Sequence, residues 1–176
     1  QSTDLIRQLW LSNYFYGSIF SLQYKNKKNQ VTFGGGWDRY DGSHYGIITW
    51  SQSGGIPPNY EWYHEPAHKT DFNVYTKLQQ EINEQWTAFG DLQFRRIGYA
   101  IDGFDDNPSL KVNNTYNFIN PKFGISYTDN YWNGYFSYSL SNHEPDRNDF
   151  ETGGSDQPKP EVLNDFELNI GRKNQN

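Results

Sequence analysis

The chain has no cysteine and no methionine among its 176 residues. Without cysteine there is no disulfide, no thiolate nucleophile and no sulfur-ligated metal centre, and the compartment stays undecided. No stretch approaches the ~18 consecutive apolar residues of a transmembrane helix, so that element is excluded. A transmembrane barrel is not, because each of its strands needs only about ten alternating residues. Basic charge is also in short supply. Fifteen Lys and Arg against 21 Asp and Glu leave a formal net charge of -6, which argues against nucleic acid as a partner. There is no secretory leader and the first residue is Gln1. The expectation is therefore a mature or excised segment of something longer. The length suits one domain and not clearly two.

What the chain has is rings. It carries 12 Phe, 14 Tyr and 6 Trp with a mean hydropathy of -0.96. That pairing fits half-buried strands between wet loops better than an aliphatic core. The clearest case is Phe118–Asn142, FINPKFGISYTDNYWNGYFSYSLSN. Ile119, Phe123, Ile125 and Tyr127 alternate with Asn120, Lys122, Ser126 and Thr128, and Trp132, Phe136, Tyr138 and Leu140 alternate with Asn133, Tyr135, Ser137, Ser139 and Ser141. Successive strand residues point to opposite faces, so this is a hairpin with one ring-rich and one wet face. Five more segments alternate similarly: 14–24, 30–38, 69–81, 86–100 and 162–172. The predicted fold is all-β, an antiparallel up-and-down meander of about seven strands.

The connections carry further information. Lys25–Asn29, Ile82–Gln85 and Thr128–Asn130 read as tight turns, whereas Arg39–His68, Ile101–Asn117 and His143–Glu161 read as long loops. Short and long connections alternate, as in an outer-membrane barrel with brief turns at one end and extended loops at the other. Asp71, Asn73, Lys77, Asp91, Gln93, Arg95, Asp165 and Glu167 fall mid-strand on the wet face, where a polar lumen would receive them. The same residues could line the solvated side of an ordinary antiparallel sheet. The loop asymmetry favours the transmembrane β-barrel.

Several segments resemble the C-terminal barrel half of TonB-dependent outer-membrane receptors. They are NYFYGSIFSL (13–22), TFGGGWDRYDGSHYG (32–46), DLQFRRIGY (91–99), FINPKFGISY (118–127) and SLSNHEPDRNDF (139–150). PKPEVLNDFELNIG (158–171) is similar to the recurring Pro-Glu-x-Leu-x-(Asp/Asn)-(Tyr/Phe)-Glu-Leu-Gly strand entry, with Asn169 and Ile170 before the glycine. The resemblance covers nearly the whole chain and keeps its order. It implies residues 1–176 as one partial barrel domain, about a third of a ~22-stranded wall, without plug domain, TonB-contacting segment or closing strand. It further implies a Gram-negative outer-membrane location, lipid around the wall, and a plug and TonB complex in the parent. The cargo would be a small ligand such as a ferric chelate, a cobalamin or a glycan. Lys77, Asp91 and Arg95 would face the lumen and touch plug or ligand. An isolated segment would expose two raw sheet edges and is expected to curl closed or self-associate.

HEPAH (64–68) satisfies the H-E-x-x-H zinc-protease pattern, but that motif needs a helix and Pro66 opposes one. DGFDDN, with Asp102, Asp105, Asp106 and Asn107, could hold a hard cation but lacks EF-hand spacing and reads better as a solvated turn. Gly34–Gly36 lacks the Lys-Ser/Thr of a phosphate cradle and reads as strand glycines that accept a bulky neighbour. The longest predicted loop gathers Trp50, Trp62, Tyr63, His64 and His68, rings beside polar tips that suit a sugar, a chelate or a haem-like ligand, or that pack the loop. No catalytic residue, no metal ligand and no cofactor is expected. The competing readings are a secreted carbohydrate-binding β-sandwich using Trp50, Trp62 and Tyr63, and behind it a β-rich glycoside hydrolase.

Overall fold

A computed structural model of the chain describes residues 3–104, 107–152 and 157–173. Seven antiparallel strands form one sheet in chain order: β1 (Leu5–Lys25), β2 (Asn29–Ser51), β3 (Tyr60–Glu81), β4 (Trp86–Phe104), β5 (Asn107–Thr128), β6 (Trp132–His143) and β7 (Glu161–Arg172). A six-residue helical segment, α1 (Arg147–Thr152), lies between β6 and β7. The meander is as predicted. A β-sandwich is excluded, because the described residues form a single sheet and offer the rings no second one to pack against.

Cross-strand register shows which side chains share a face. Trp37 pairs with Phe72, Val74 with Phe94, Phe94 with Ile119, Ile125 with Phe136 and Phe136 with Leu168. Alternation therefore puts Val31, Phe33 and Trp37 on one side with Phe72, Leu78, Trp86, Leu92 and Phe123. Most of these rings and aliphatics are exposed. The opposite face pairs Thr32 with Lys77, Lys77 with Asp91, Asp91 with Lys122, Lys122 with Ser139 and Ser139 with Asp165. Across β2 to β7 one face is a ring-rich band and the other a largely polar lining. On β4 the band runs from Trp86 to Phe94 and ends at Arg96, and on β5 from Tyr127 to Ile119 and ends at Asn117. Each is about the 9–11 residues that a tilted strand needs to cross a bilayer.

The strands are much longer than that crossing, at 21, 23, 22, 19 and 22 residues for β1 to β5. This corrects two of the predicted loops. Most of Arg39–His68 is strand, and the β2–β3 connection shrinks to residues 52–59, where Gly54, Gly55 and Asn59 adopt positive φ. Most of Ile101–Asn117 is also strand, and its tip, with Asp105 and Asp106, lies outside the described residues. The third connection, after His143, remains long and folds back over the polar face. Pairing of β5 with β6 runs only from Thr128 to Lys122, and the next residue is Pro121, which has no N–H for the ladder. Beyond that point β6 is tied to β5 by Asn142, which donates to Asn120 Oδ1 at 2.8 Å. Glycine serves the lining at Gly34, whose missing Cβ leaves room for the cross-strand Tyr75 ring.

The expected closure of the sheet is not met. β1 and β7 stand at opposite edges of the strand order.

Candidate functional site

The best-defined polar constellation lies on the lining face above the band, where the segment after β6 meets β3 and β4. Asp71 pairs with Ile97 and Asn73 with Arg95, so Lys69, Asp71 and Arg95 emerge on one face within two neighbouring strands. The Arg95 guanidinium forks. Its Nε donates to Asp71 Oδ2 at 2.8 Å and its Nη1 to Glu144 Oε2 at 2.9 Å, while Nη2 reaches Asp71 Oδ2 at 2.5 Å and Glu144 Oε1 at 3.2 Å. Lys69 Nζ donates to Glu144 Oε1 at 2.7 Å and sits 4.8 Å from the Tyr99 ring centroid. Glu144 is 3% exposed, and a carboxylate that deep stays charged only with such partners. Burial acts to raise its pKa, but the hydrogen bond from Lys69, a backbone N–H and the charges of Lys69 and Arg95 prevail and hold it below its ordinary value of 4.5.

A second tie lies one turn further on. Arg147 Nη2 donates to the buried Glu65 at 3.2 Å and to the Gly103 carbonyl at 3.4 Å, and its guanidinium lies 4.6 Å from the Phe104 ring centroid. Phe150 is buried with Ile101, Phe104 and Val112, and Tyr99 packs against that cluster. The start of α1 is capped reciprocally, with Asp149 N–H donating to Asp146 Oδ1 at 2.9 Å and Asp146 N–H to Asp149 Oδ2 at 2.8 Å. Residues 144–152 thus form a strap, pinned by two ion-pair groups and one ring. Between strap and wall remain two spaces. One of about 370 Å³ is lined by Leu11, His44, Tyr63, Glu65 and Arg147. The other, of about 220 Å³, is lined by Tyr40, His44, Lys69, Tyr99, Ile101 and Arg147.

The residues singled out from sequence fall into two groups. Lys77, Asp91 and Arg95 share the lining face, with Lys77 Nζ 3.4 Å from Asp91 Oδ2. Trp50, Trp62, Tyr63, His64 and His68 do not converge, and they are strand residues where a loop was predicted. Tyr63 lines the larger inner space and His68 borders the smaller one, although His64 and His68 keep the parity of Phe72 on the outer face. His68 Nδ1 is 2.5 Å from Asp41 Oδ1, His64 Nδ1 is 3.0 Å from Glu61 Oε1, and the His64 ring stacks on Tyr45. Trp62 is the extra residue of a bulge opposite Gly46, its ring edge-on to Tyr63, and Trp50 pairs with Ile6. HEPAH is extended, with Glu65 facing away from both histidines, so the protease pattern is empty of mechanism. Among the described residues no group of three or more His, Asp or Glu could hold a metal ion.

Sequence reasoning missed Lys69, Glu65, Glu144 and Arg147. Lys69 and Glu144 lie 75 positions apart, and Glu65 and Arg147 lie 82 apart, so no local spacing links them.

No protein-family model matches the sequence, and no curated protein does. Solved structures do. The chain is similar to the copper transporter OprC, with a TM-score of 0.70 and 14% identity, over 96% of this chain and 29% of that one. It is also similar to the ferric citrate transporter FecA in its unliganded form, with a TM-score of 0.60 and 17% identity, over 96% of this chain and 26% of that one. The chain therefore spans under a third of either structure, and what it shares with them is fold: a run of outer-membrane β-barrel wall.

Proposed function

We propose that this chain is wall from a TonB-dependent receptor of a Gram-negative outer membrane. The receptor imports a scarce ligand with energy passed on by the TonB complex. Supporting this is a single observation, the ring-rich band, about ten residues long on β4 and β5, that backs onto the polar lining of β2 to β7. The likeness of the wall to two transporters agrees with it. The lining, with Lys77, Asp91 and Arg95, faces a lumen that holds a plug domain and admits a small ligand such as a metal chelate or a glycan. The band faces lipid. The role is transport, and no residue is assigned a catalytic step.

The test is depth-dependent quenching of tryptophan fluorescence by brominated lipid in the full-length receptor. Trp37, Trp86 and Trp132 lie on the band, and each variant keeping one of them is expected to be quenched. Unquenched rings contradict the membrane reading.

A further inference from the structure

The strap does something more specific than cover the wall. Glu144 is held as a ligand would be held: one oxygen takes the Lys69 ammonium at 2.7 Å, and the two Arg95 nitrogens take one oxygen each, at 2.9 and 3.2 Å. A planar guanidinium presenting two donors to two oxygens matches a carboxylate in geometry as well as charge. The carboxylate filling this seat belongs to the connection after β6, not to the wall that builds the seat. Beside it lies the space of about 220 Å³, onto which Lys69 and Arg147 bring positive charge and Tyr40, Tyr99 and Ile101 bring apolar surface. That lining contains no carboxylate. Asp71 on the wall already accepts from Arg95 Nε and Nη2, at 2.8 and 2.5 Å, and with Asp38 it opposes an entering anion, so the seat holds a second carboxylate only through Lys69 and the outer edge of the Arg95 fork.

Resting on the receptor reading above, we propose that Lys69 and Arg95 form a binding seat for a carboxylate-bearing ligand, and that Glu144 occupies it until the ligand displaces it. Displacement breaks the Lys69 and Arg95 ties of the strap at once. It leaves Arg147–Glu65 and the Phe150 contact among the remaining anchors, so binding loosens the strap without removing it. Occupancy and strap position are then thermodynamically linked: whatever weakens Glu144 in the seat strengthens the ligand by the same factor.

The experiment uses citrate as probe and the full-length receptor in lipid vesicles. Residues 1–176 contain no cysteine, so a nitroxide on Asn148→Cys, with any cysteine elsewhere in the receptor replaced by serine, reports the strap alone. Citrate is expected to mobilise the label, and inorganic phosphate at equal concentration to leave it immobile. Glu144→Gln is expected to mobilise the label without citrate and to raise citrate affinity at least tenfold by calorimetry, whereas Lys69→Gln abolishes the citrate effect. A label unmoved by citrate, with equal citrate affinity in wild type and Glu144→Gln, overturns the proposal and leaves Glu144 an anchor. Equal release by phosphate overturns the carboxylate assignment. Should Glu144→Gln fail to fold, the wild-type label still decides. Brominated-lipid quenching in the same vesicles separates the two readings: quenched rings without a citrate effect retire the seat and keep the receptor.

Discussion

Asn26, Asn83 and Asp129 end three strands with one device. In each tight turn the side-chain oxygen accepts two backbone N–H groups, from the residues two and three positions on. Asn26 takes Lys28 and Asn29 at 2.9 and 2.7 Å, Asn83 takes Gln85 and Trp86 at 2.9 Å each, and Asp129 takes Tyr131 and Trp132 at 2.7 and 2.6 Å. The carbonyl or carboxylate replaces partners that the turning backbone cannot supply. Asn83→Ala is expected to cost about 1 kcal/mol in urea unfolding, with the tryptophan signal of Trp86 changing first. At Asp129 the Tyr127 hydroxyl adds a third donor, and these bonds together hold the carboxylate below its ordinary value of 3.8. Glu144 titrates in the same direction, with a larger consequence. Its folded-state pKa is depressed, so its contribution is complete above the unfolded value of 4.5 and is lost as pH falls through the lower folded value. A nitroxide on Asn148→Cys is expected to stay immobile from neutral pH down to the ordinary value of 4.5 and to loosen only below it. Loosening as pH rises through neutrality would contradict the assignment.

At the scale of the strand, one position decides cost by its face. Phe123 and Ser139 lie on adjacent strands but on opposite faces. Phe123→Arg puts a charge into the lipid band and is expected to destabilise refolding into vesicles by about 2–4 kcal/mol, while Ser139→Arg, beside Asp165 on the lining, is expected to cost less than ~1 kcal/mol. Equal costs would mean that both faces meet water. The same two-face contrast explains which parts of the strands could be read in the sequence. Below Arg39, Arg96 and Asn117 one face is ring-rich and the other polar, so alternation is strict and strand existence was legible. Above those residues both faces are polar or lightly covered, as in Arg39-Tyr-Asp-Gly-Ser-His-Tyr-Gly46. Ladder hydrogen bonds continue there without a period-two signal, so strand reads as loop. Lys77, Asp91 and Arg95 could be assigned to one face because they sit in the alternating part. Glu65, Lys69, Glu144 and Arg147 come together only through the fold-back of the strap, which no spacing announces.

At the scale of the whole molecule, the unsolved problem of this chain is its edges. β1 and β7 each pair on one side, leaving a row of backbone donors and acceptors along Leu5–Lys25 and another along Glu161–Arg172. β1 is also apolar on both faces: Leu9, Leu11, Phe15 and Ile19 share the lining side and are exposed, Ile19 at 91%. No other strand combines a free edge, a lipid-facing band and so much uncovered apolar surface on its inner side. An edge of that composition pairs with another copy sooner than it stays in water. The separate 176-residue chain in detergent is therefore expected to sediment as a dimer or larger, well above its monomer mass of 20.6 kDa. Phe15→Lys and Ile19→Lys together place inward-pointing charge on the edge strand, the means by which natural sheets refuse new partners, and should shift the distribution toward monomer. A wild-type monomer at all concentrations would show that detergent alone satisfies the edges. An oligomer indifferent to the lysines would move the contact to β7, whose lining side carries Asp165 and Glu167 and whose edge is half as long.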